Sequence, residues 1–209
     1  MKTIKENKIA FGIFILFFSV GLAFVVSFPK LEIQQYINSF YHPTAGVVFA
    51  FLTHLAEGWF TIPLLIFLFI NNWKKALYIG CSYGISSLLV AFLKRTFFTS
   101  LYRPFGFKVL TQNEQYQWFS DIDMPTKLSF PSGHTTVAFA VFFGLALIIP
   151  NKKIGAALTL LAVLVGFSRT YLSYHFLMDL VAGSFLGVAT ALGMYYTLKG
   201  KLKLEQNSV

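Results

Sequence analysis

The stretch PSGHTTVAFAVFFGLALIIPNKKIGAALTLLAVLVGFSR, residues 131–169, decides the fold class. Two charge-free apolar runs, residues 135–149 and 154–167, flank Pro150-Asn151-Lys152-Lys153, and their far ends carry Pro-Ser-Gly-His and Ser168-Arg169. Runs approaching the roughly 20 residues that the ~30 Å hydrocarbon core of a bilayer demands of a helix read as two membrane spans joined by a lysine-bearing turn. Further apolar runs cover residues 9–28, 44–70, 76–93 and 176–198. The expected fold is all-α: a polytopic membrane protein with six transmembrane helices and one short interfacial helix. The run at 44–70 is over-long and carries His54, Glu57, Gly58 and Pro63, so it also reads as a short interfacial helix followed by a tilted span. The first run is too long for a signal-peptide core, and no small-residue cleavage site follows it.

Composition agrees with this reading. Hydrophobic residues make up 56% of the 209 positions and charged residues 12%, with a mean hydropathy of +0.66, which excludes an ordinary soluble domain. The net charge of +9 is spread over short clusters between apolar runs, so a nucleic-acid partner is not expected. The single cysteine, Cys81, lies inside an apolar run and forbids an intramolecular disulfide framework. Ile33, Tyr36, Ile37, Phe40 and Tyr41 recur at helical spacing among Glu32, Gln34, Gln35 and Asn38, the pattern of an amphipathic helix lying on the membrane surface. Trp59, Trp73, Trp118 and Tyr195 read as interface anchors. The longest polar stretch, residues 94–131, contains Glu114, Tyr116, Trp118, Asp121 and Asp123. No repeat or linker divides the chain, so residues 1–209 are read as one domain.

With the amino terminus cytoplasmic, the loops on that side hold Lys2, Lys5, Lys8, Lys74, Lys75, Lys152, Lys153, Lys199, Lys201 and Lys203. That is the positive-inside signature of a multi-pass protein of the cytoplasmic membrane with both termini inside. The other side holds Lys30, Lys94, Lys108, Lys127 and every arginine of the chain, Arg95, Arg103 and Arg169. Arginine is the better fork for phosphate oxygens, so its concentration on the side where topology does not call for positive charge points to an anionic ligand.

Non-lysine polarity gathers at that outer end in three stretches: Lys94-Arg95 with Arg103-Pro104, then Pro131-Ser132-Gly133-His134, then Ser168-Arg169 with His175 and Asp179. His175 and Asp179, four apart, share a face if helical, so the carboxylate holds one imidazole nitrogen and frees the other as nucleophile or base. Ser132, the Gly133 amide and the start of the following helix present donors to an anion. Lys94, Arg103 and Arg169 add the charge that a phosphoryl group needs during in-line displacement. His54 and Glu57, three apart, read as a structural pair in preference to a catalytic one, and His42 as a surface residue.

These stretches resemble the type 2 phosphatidic acid phosphatase superfamily, which includes lipid phosphate phosphatases and shares its site with vanadium haloperoxidases. The family pattern is Lys-x6-Arg-Pro, then Pro-Ser-Gly-His, then Ser-Arg-x5-His-x3-Asp. The second and third parts match here without a gap, and the resemblance covers residues 94–179. In the first part Arg103 and Pro104 carry over, but the upstream cation is displaced: Lys94 keeps the residue type, and Arg95 is the alternative. The resemblance implies a hydrolase that dephosphorylates a lipid phosphate or diphosphate at the outer face of the membrane. It implies His175 as nucleophile, Asp179 orienting it, His134 as acid and then base, Lys94, Arg103, Ser132, Gly133 and Arg169 binding phosphate, and no metal or other cofactor. Two rivals stand beside it. A metal-dependent hydrolase would use His134, His175 and Asp179 with His54 or Glu57, but two guanidinium groups would repel the cation. A lipid transporter would place its polar residues at mid-membrane, whereas these cluster at one face. A hydrophobic shell suits a lipid better than a halide. The lipid itself and the oligomeric state stay open.

Overall fold

The computed structural model describes residues 2–111 and 125–204; Glu114, Tyr116, Trp118, Asp121 and Asp123 of the polar stretch lie outside the described residues. The helices are α1 (Lys2–Glu6), α2 (Lys8–Ser27), α3 (Lys30–Asn38), α4 (Pro43–Thr53), α5 (Gly58–Thr96), α6 (Pro104–Thr111), α7 (Gly133–Ala138), α8 (Gly144–Ile148), α9 (Lys152–Tyr171) and α10 (Leu177–Leu202). A 3-10 turn, His54–Ala56, follows α4, and a π-helical turn, Phe139–Phe143, joins α7 and α8 into one rod. Four of these helices, α2, α5, α9 and α10, are long and apolar enough to cross a membrane, where the sequence led us to expect six spans.

Of the two spans in question, one is the rod Gly133–Ile148, a shorter apolar helix, and the other lies in α5. At Asn72 the backbone leaves the helix (φ −162°, ψ 92°). A straight helix would separate Leu65 from Gly80 by roughly 22 Å, yet a Cβ placed on Gly80 would lie 3.9 Å from Leu65 Cδ2, and one on Gly58 would lie 3.6 Å from Tyr83 Oη. The two arms of α5 therefore run antiparallel. The reversal is prepared locally: Asn71 Nδ2 donates to the Phe67 carbonyl at 2.8 Å, and Asn72 Oδ1 accepts the Lys75 amide at 3.2 Å. One asparagine closes the first arm and the next opens the second.

The rod Gly133–Ile148 is apolar around its whole circumference, the pattern of a helix with no solvent or lipid face. Residues 135–148 are accordingly buried, packed against α5, α9 and α10. Phe139 and Phe143 meet Phe11, Phe14 and Phe17 of α2. On α10, Gly183 and Gly187 let the rod approach closely: a Cβ on Gly183 would come 2.8 Å from the Ser132 carbonyl, and one on Gly187 would come 2.7 Å from Phe139 Cβ. Small residues four apart are what such helix contacts in membranes require.

Two expectations need correction. The helix expected on the membrane surface is α3, but its polar side is docked on protein: Gln34 Nε2 donates to the Thr170 carbonyl and to Asn38 Oδ1, each at 2.9 Å, and Ser173 Oγ donates to Asn38 Oδ1 at 3.1 Å. Buried amides find partners more readily in one another and in a loop carbonyl than in lipid. Tyr195 is no interface anchor, because it is buried against Tyr78 with ring centroids 6.1 Å apart; Trp59 and Trp73 are exposed. The run at 44–70 takes the second of its two readings, a short helix followed by a separate long one. His42 N donates to Tyr171 Oη at 2.9 Å, Phe49 packs on Tyr171 at 4.5 Å, and Thr53 accepts from Arg169 at 2.7 Å. Both ends of α4 thus meet the last turn of α9, so α4 crosses the end of that helix and does not run alongside it. His42 is exposed, and its Nδ1 caps α4.

Candidate active site

The ends of α5 and α9 and the starts of the rod and of α10 meet at one end of the bundle. The α9–α10 turn is shaped by the Arg169 carbonyl, which accepts the Tyr174 and His175 amides at 2.8 and 3.1 Å, with Ser173 in the left-handed region at φ 60°. The next residues begin α10, with Phe176 at its N-cap and Asp179 in its first turn. Asp179 Oδ2 accepts the Phe176 amide at 3.1 Å, the Ser129 hydroxyl, and His175 Nδ1 at 3.1 Å. The sequence reading placed His175 and Asp179 on one helical face; His175 in fact precedes the helix, and the carboxylate reaches it by folding back over the helix start, as a capping side chain does. The pair also ties two loops together, since the Ser132 amide donates to the Asp179 carbonyl at 3.0 Å.

His175 is 1% exposed. Burial, followed by the charges of Arg103, Lys94, Arg169 and His134, holds its imidazole well below the ordinary histidine range. The residue is therefore neutral: with Nδ1–H donated to Asp179, Nε2 keeps its lone pair amid three cations.

Each cation is held differently. Arg169 is buried, its guanidinium carbon is 4.0 Å from the centroid of the Tyr174 ring, and its Nε has no hydrogen-bond partner among the described residues. Arg103 donates through Nε to the Lys127 carbonyl at 3.0 Å and through Nη1 to the Tyr174 carbonyl at 3.5 Å; burial is the main influence lowering its pKa. Lys94, in the last turn of α5, is half-buried, whereas Arg95 is exposed. Both line a cavity of about 430 Å³ that also reaches Glu57, Tyr83, Val90 and His134. A larger apolar groove of about 940 Å³ along α2 and α9 includes none of the candidate residues in its lining.

Ser132 is fully buried at the N-cap of α7, where its oxygen accepts from the Thr135 amide at 3.4 Å and the Thr135 hydroxyl at 2.9 Å. Its lone pairs serve the helix start, and its own proton is left for other use. A Cβ on Gly133 would come no nearer than 3.6 Å to Val90. His134 follows directly, its Nε2 3.2 Å from Glu57 Oε1. The other Glu57 oxygen receives His54 Nδ1 at 3.1 Å and Trp59 Nε1 at 2.8 Å. Burial alone would raise the Glu57 pKa, but the hydrogen bonds from His54, Trp59 and His134 outweigh it and leave it lowered, so Glu57 is a carboxylate. Sequence reasoning paired Glu57 with His54, and that contact is present; what it did not find is the second contact, with His134. The signal available was a carboxylate at the edge of an otherwise apolar segment, a costly placement that calls for a partner.

Among the described residues, no three His, Cys, Asp or Glu side chains form a group able to hold a metal ion. A neutral imidazole backed by a carboxylate and ringed by Lys94, Arg103 and Arg169 suits attack on a tetrahedral oxyanion, whose charge those cations offset.

Comparison with known proteins agrees with this chemistry. Residues 75–203 match the family described as PAP2 superfamily. The undecaprenyl-diphosphatase BcrC of Bacillus subtilis (strain 168) is 32% identical over 170 residues, covering 79% of this chain and 81% of that protein. The crystal structure of Aquifex aeolicus LpxE is similar with a TM-score of 0.65 and 28% identity, over 82% of this chain and 98% of that one. The first transmembrane PAP2 type phosphatidylglycerolphosphate phosphatase from Bacillus subtilis shares the fold at a TM-score of 0.66 and 24% identity, over 96% and 98% of the two chains.

Proposed function

The chain belongs to the PAP2 superfamily, and on that premise we propose that this membrane lipid phosphatase works through a phosphohistidine formed on His175. One observation carries the reading: Asp179 Oδ2 at 3.1 Å from His175 Nδ1 leaves Nε2 as the only nucleophilic nitrogen of a ring ringed by cations. In the first step Nε2 attacks phosphorus, the bond to the leaving oxygen breaks, and His134 supplies that oxygen with a proton. In the second, His134 takes a proton from water as it attacks phosphorus, the P–N bond breaks, and phosphate departs. Lys94, Arg103 and Arg169, with the Ser132 hydroxyl and the Gly133 amide, hold the non-bridging oxygens throughout. The cations supply the charge for which other phosphatases use a metal.

The name of the relative that is 32% identical makes a polyprenyl diphosphate the first substrate to test. Phosphatidate, phosphatidylglycerol phosphate and a lipid A phosphate complete the panel.

The six-span topology is kept, with the run at 44–70 in its second reading: the second span is the first arm of α5, and α4 lies at the membrane surface. The antiparallel arms of α5 and the crossing of α4 over the end of α9 support it. The site faces the periplasm or exterior and both termini are cytoplasmic. This is supported by the lysine-bearing starts of α2 and α9 sharing the opposite end, where Lys152 Nζ donates to Asn7 Oδ1 at 2.9 Å. Residues 1–209 act as one domain.

The decisive experiment is phosphate release by purified protein in detergent across the lipid panel, with His175→Ala as blank and exhaustive chelation as a parallel arm. Loss of activity on chelation would sink the metal-free mechanism. For topology, a cysteine at position 127 in a Cys81→Ser background should react with an impermeant maleimide on intact cells; labelling only after lysis reverses the orientation.

A further inference from the structure

Glu57 lies outside the three motif stretches, at the junction between the 3-10 turn and the first arm of α5. Resting on the reading of His134 as acid and base, we propose that Glu57 is the positioning carboxylate of His134. It holds Nε2–H so that Nδ1 is the nitrogen that exchanges protons with the leaving oxygen and with water. The site then contains two carboxylate–imidazole pairs of opposite sense: Asp179 holds Nδ1 of His175 and frees Nε2, while Glu57 holds Nε2 of His134 and frees Nδ1.

The local contacts single out this role. Glu57 makes no side-chain hydrogen bond to the amides that begin α5, so its carboxylate does not serve the helix terminus. Oε2 is engaged by Trp59 Nε1 at 2.8 Å and by His54 Nδ1 at 3.1 Å, and Oε1 is turned to His134 at 3.2 Å. An indole N–H is only ever a donor, so Trp59 orients the carboxylate at any pH. A carboxylate gripped on one oxygen and aimed by the other fixes a histidine tautomer.

Charge balance gives the role its chemical weight. To release a poor leaving group, His134 must carry two protons, lose the Nδ1 proton as the P–O bond breaks with its electron pair remaining on oxygen, and regain one from water in the second step. The charged and titratable groups facing His134 are Glu57 from the α4–α5 junction, Arg169 from α9 and Arg103 from the segment before α6, with His175 from the α9–α10 turn and Tyr83, Lys94 and Arg95 of α5 on the wall of the same cavity. Two guanidinium groups repel a positive charge on the ring. Glu57 is the carboxylate that offsets them.

The test uses the full-length protein in mixed micelles with Glu57→Gln, Glu57→Asp, His134→Ala and the Glu57→Gln/His134→Ala double variant. Rates are followed against pH with a dialkyl-glycerol phosphate and with p-nitrophenyl phosphate, whose leaving oxygen needs no proton. For Glu57→Gln we expect kcat on the lipid to fall about 10- to 100-fold, a fraction of what general acid catalysis supplies. KM should change little, and the alkaline limb of the pH profile should move to lower pH, because the doubly protonated ring has lost its counter-charge. The nitrophenyl ester should be spared by comparison, Glu57→Asp should recover part of the rate, and the double variant should be no worse than His134→Ala. If His134→Ala slows the first turnover, read as the initial burst of released alcohol or nitrophenolate, equally for both substrates, the reading of His134 as the acid fails and this inference with it. If His134→Ala discriminates but Glu57→Gln keeps the wild-type profile, or loses thermal stability with its pH limb unmoved, the positioning role alone is overturned.

Discussion

Asp179 Oδ2 lies 3.1 Å from His175 Nδ1 and equally 3.1 Å from the Phe176 amide, so one oxygen both orients the proposed nucleophile and starts α10. Asp179→Asn should therefore affect two observables together. Turnover should fall by roughly 10²- to 10⁴-fold, the range of a lost acid–base partner, and thermal unfolding should show a loss of about 1 kcal/mol, the size of a helix cap. Retention of full activity with only the stability loss would confine Asp179 to capping.

Lys94 and Arg95 are adjacent in a helix and point about 100° apart. Lys94 is half-buried and its charge acts on His175, whereas Arg95 is exposed at the cavity wall. Lys94→Ala should raise the barrier by roughly 2 to 4 kcal/mol, as loss of one preorganised oxyanion contact does. Arg95→Ala should cost about 1 kcal/mol or less, as expected of an exposed charge. Measured kcat/KM for the two variants decides, and the reverse ranking would give Arg95 the phosphate.

The pH profile should reveal the neutral nucleophile. His175 attacks only when unprotonated, and its pKa is held well below 6.5 by burial and by its cationic neighbours. The acid limb of kcat/KM should thus lie below pH 6.5, and Arg103→Gln, which removes a positive neighbour, should move the limb upward even as the rate falls. Stability carries the same sign: the unfolded chain takes up this proton near pH 6.5 and the folded one does not, so stability declines as pH falls below that value. An acid limb at or above 6.5 in the wild-type protein would contradict the electrostatic account.

Gly187 is predicted to be intolerant of any side chain. A Cβ there would come 2.7 Å from Phe139 Cβ and within contact of the Thr136 carbonyl, in the backbone of the buried rod that carries His134. Gly187→Ala should cost roughly 1 to 3 kcal/mol through overpacking, read as a drop in thermal midpoint in detergent. Gly193→Ala on the same helix, where a Cβ meets nothing within 4 Å, should leave the midpoint unchanged.

Much of this protein is legible in local sequence because a bilayer leaves the backbone few choices: without water, each spanning segment must satisfy its own hydrogen bonds, so length and apolarity nearly specify a helix. The apolar runs, the all-helical class, the amphipathic pattern from Glu32 to Tyr41 and the ordered motif stretches that carry the family membership are all read that way. What the tertiary structure alone decides is every relationship that depends on a distant partner. The break between the runs at 44–70 and 76–93 is legible, but that the two arms lie antiparallel against each other rests on contacts between them, Leu65 beside Gly80 and Tyr83 beside Gly58. The polar side of α3 is buried because Thr170 and Ser173, more than 130 positions away, meet its amides. Tyr195 is inside because Tyr78 packs on it. Glu57 joins His134 across 77 positions, a pairing no local period encodes, because it exists only once the antiparallel arms of α5 are packed beside the rod.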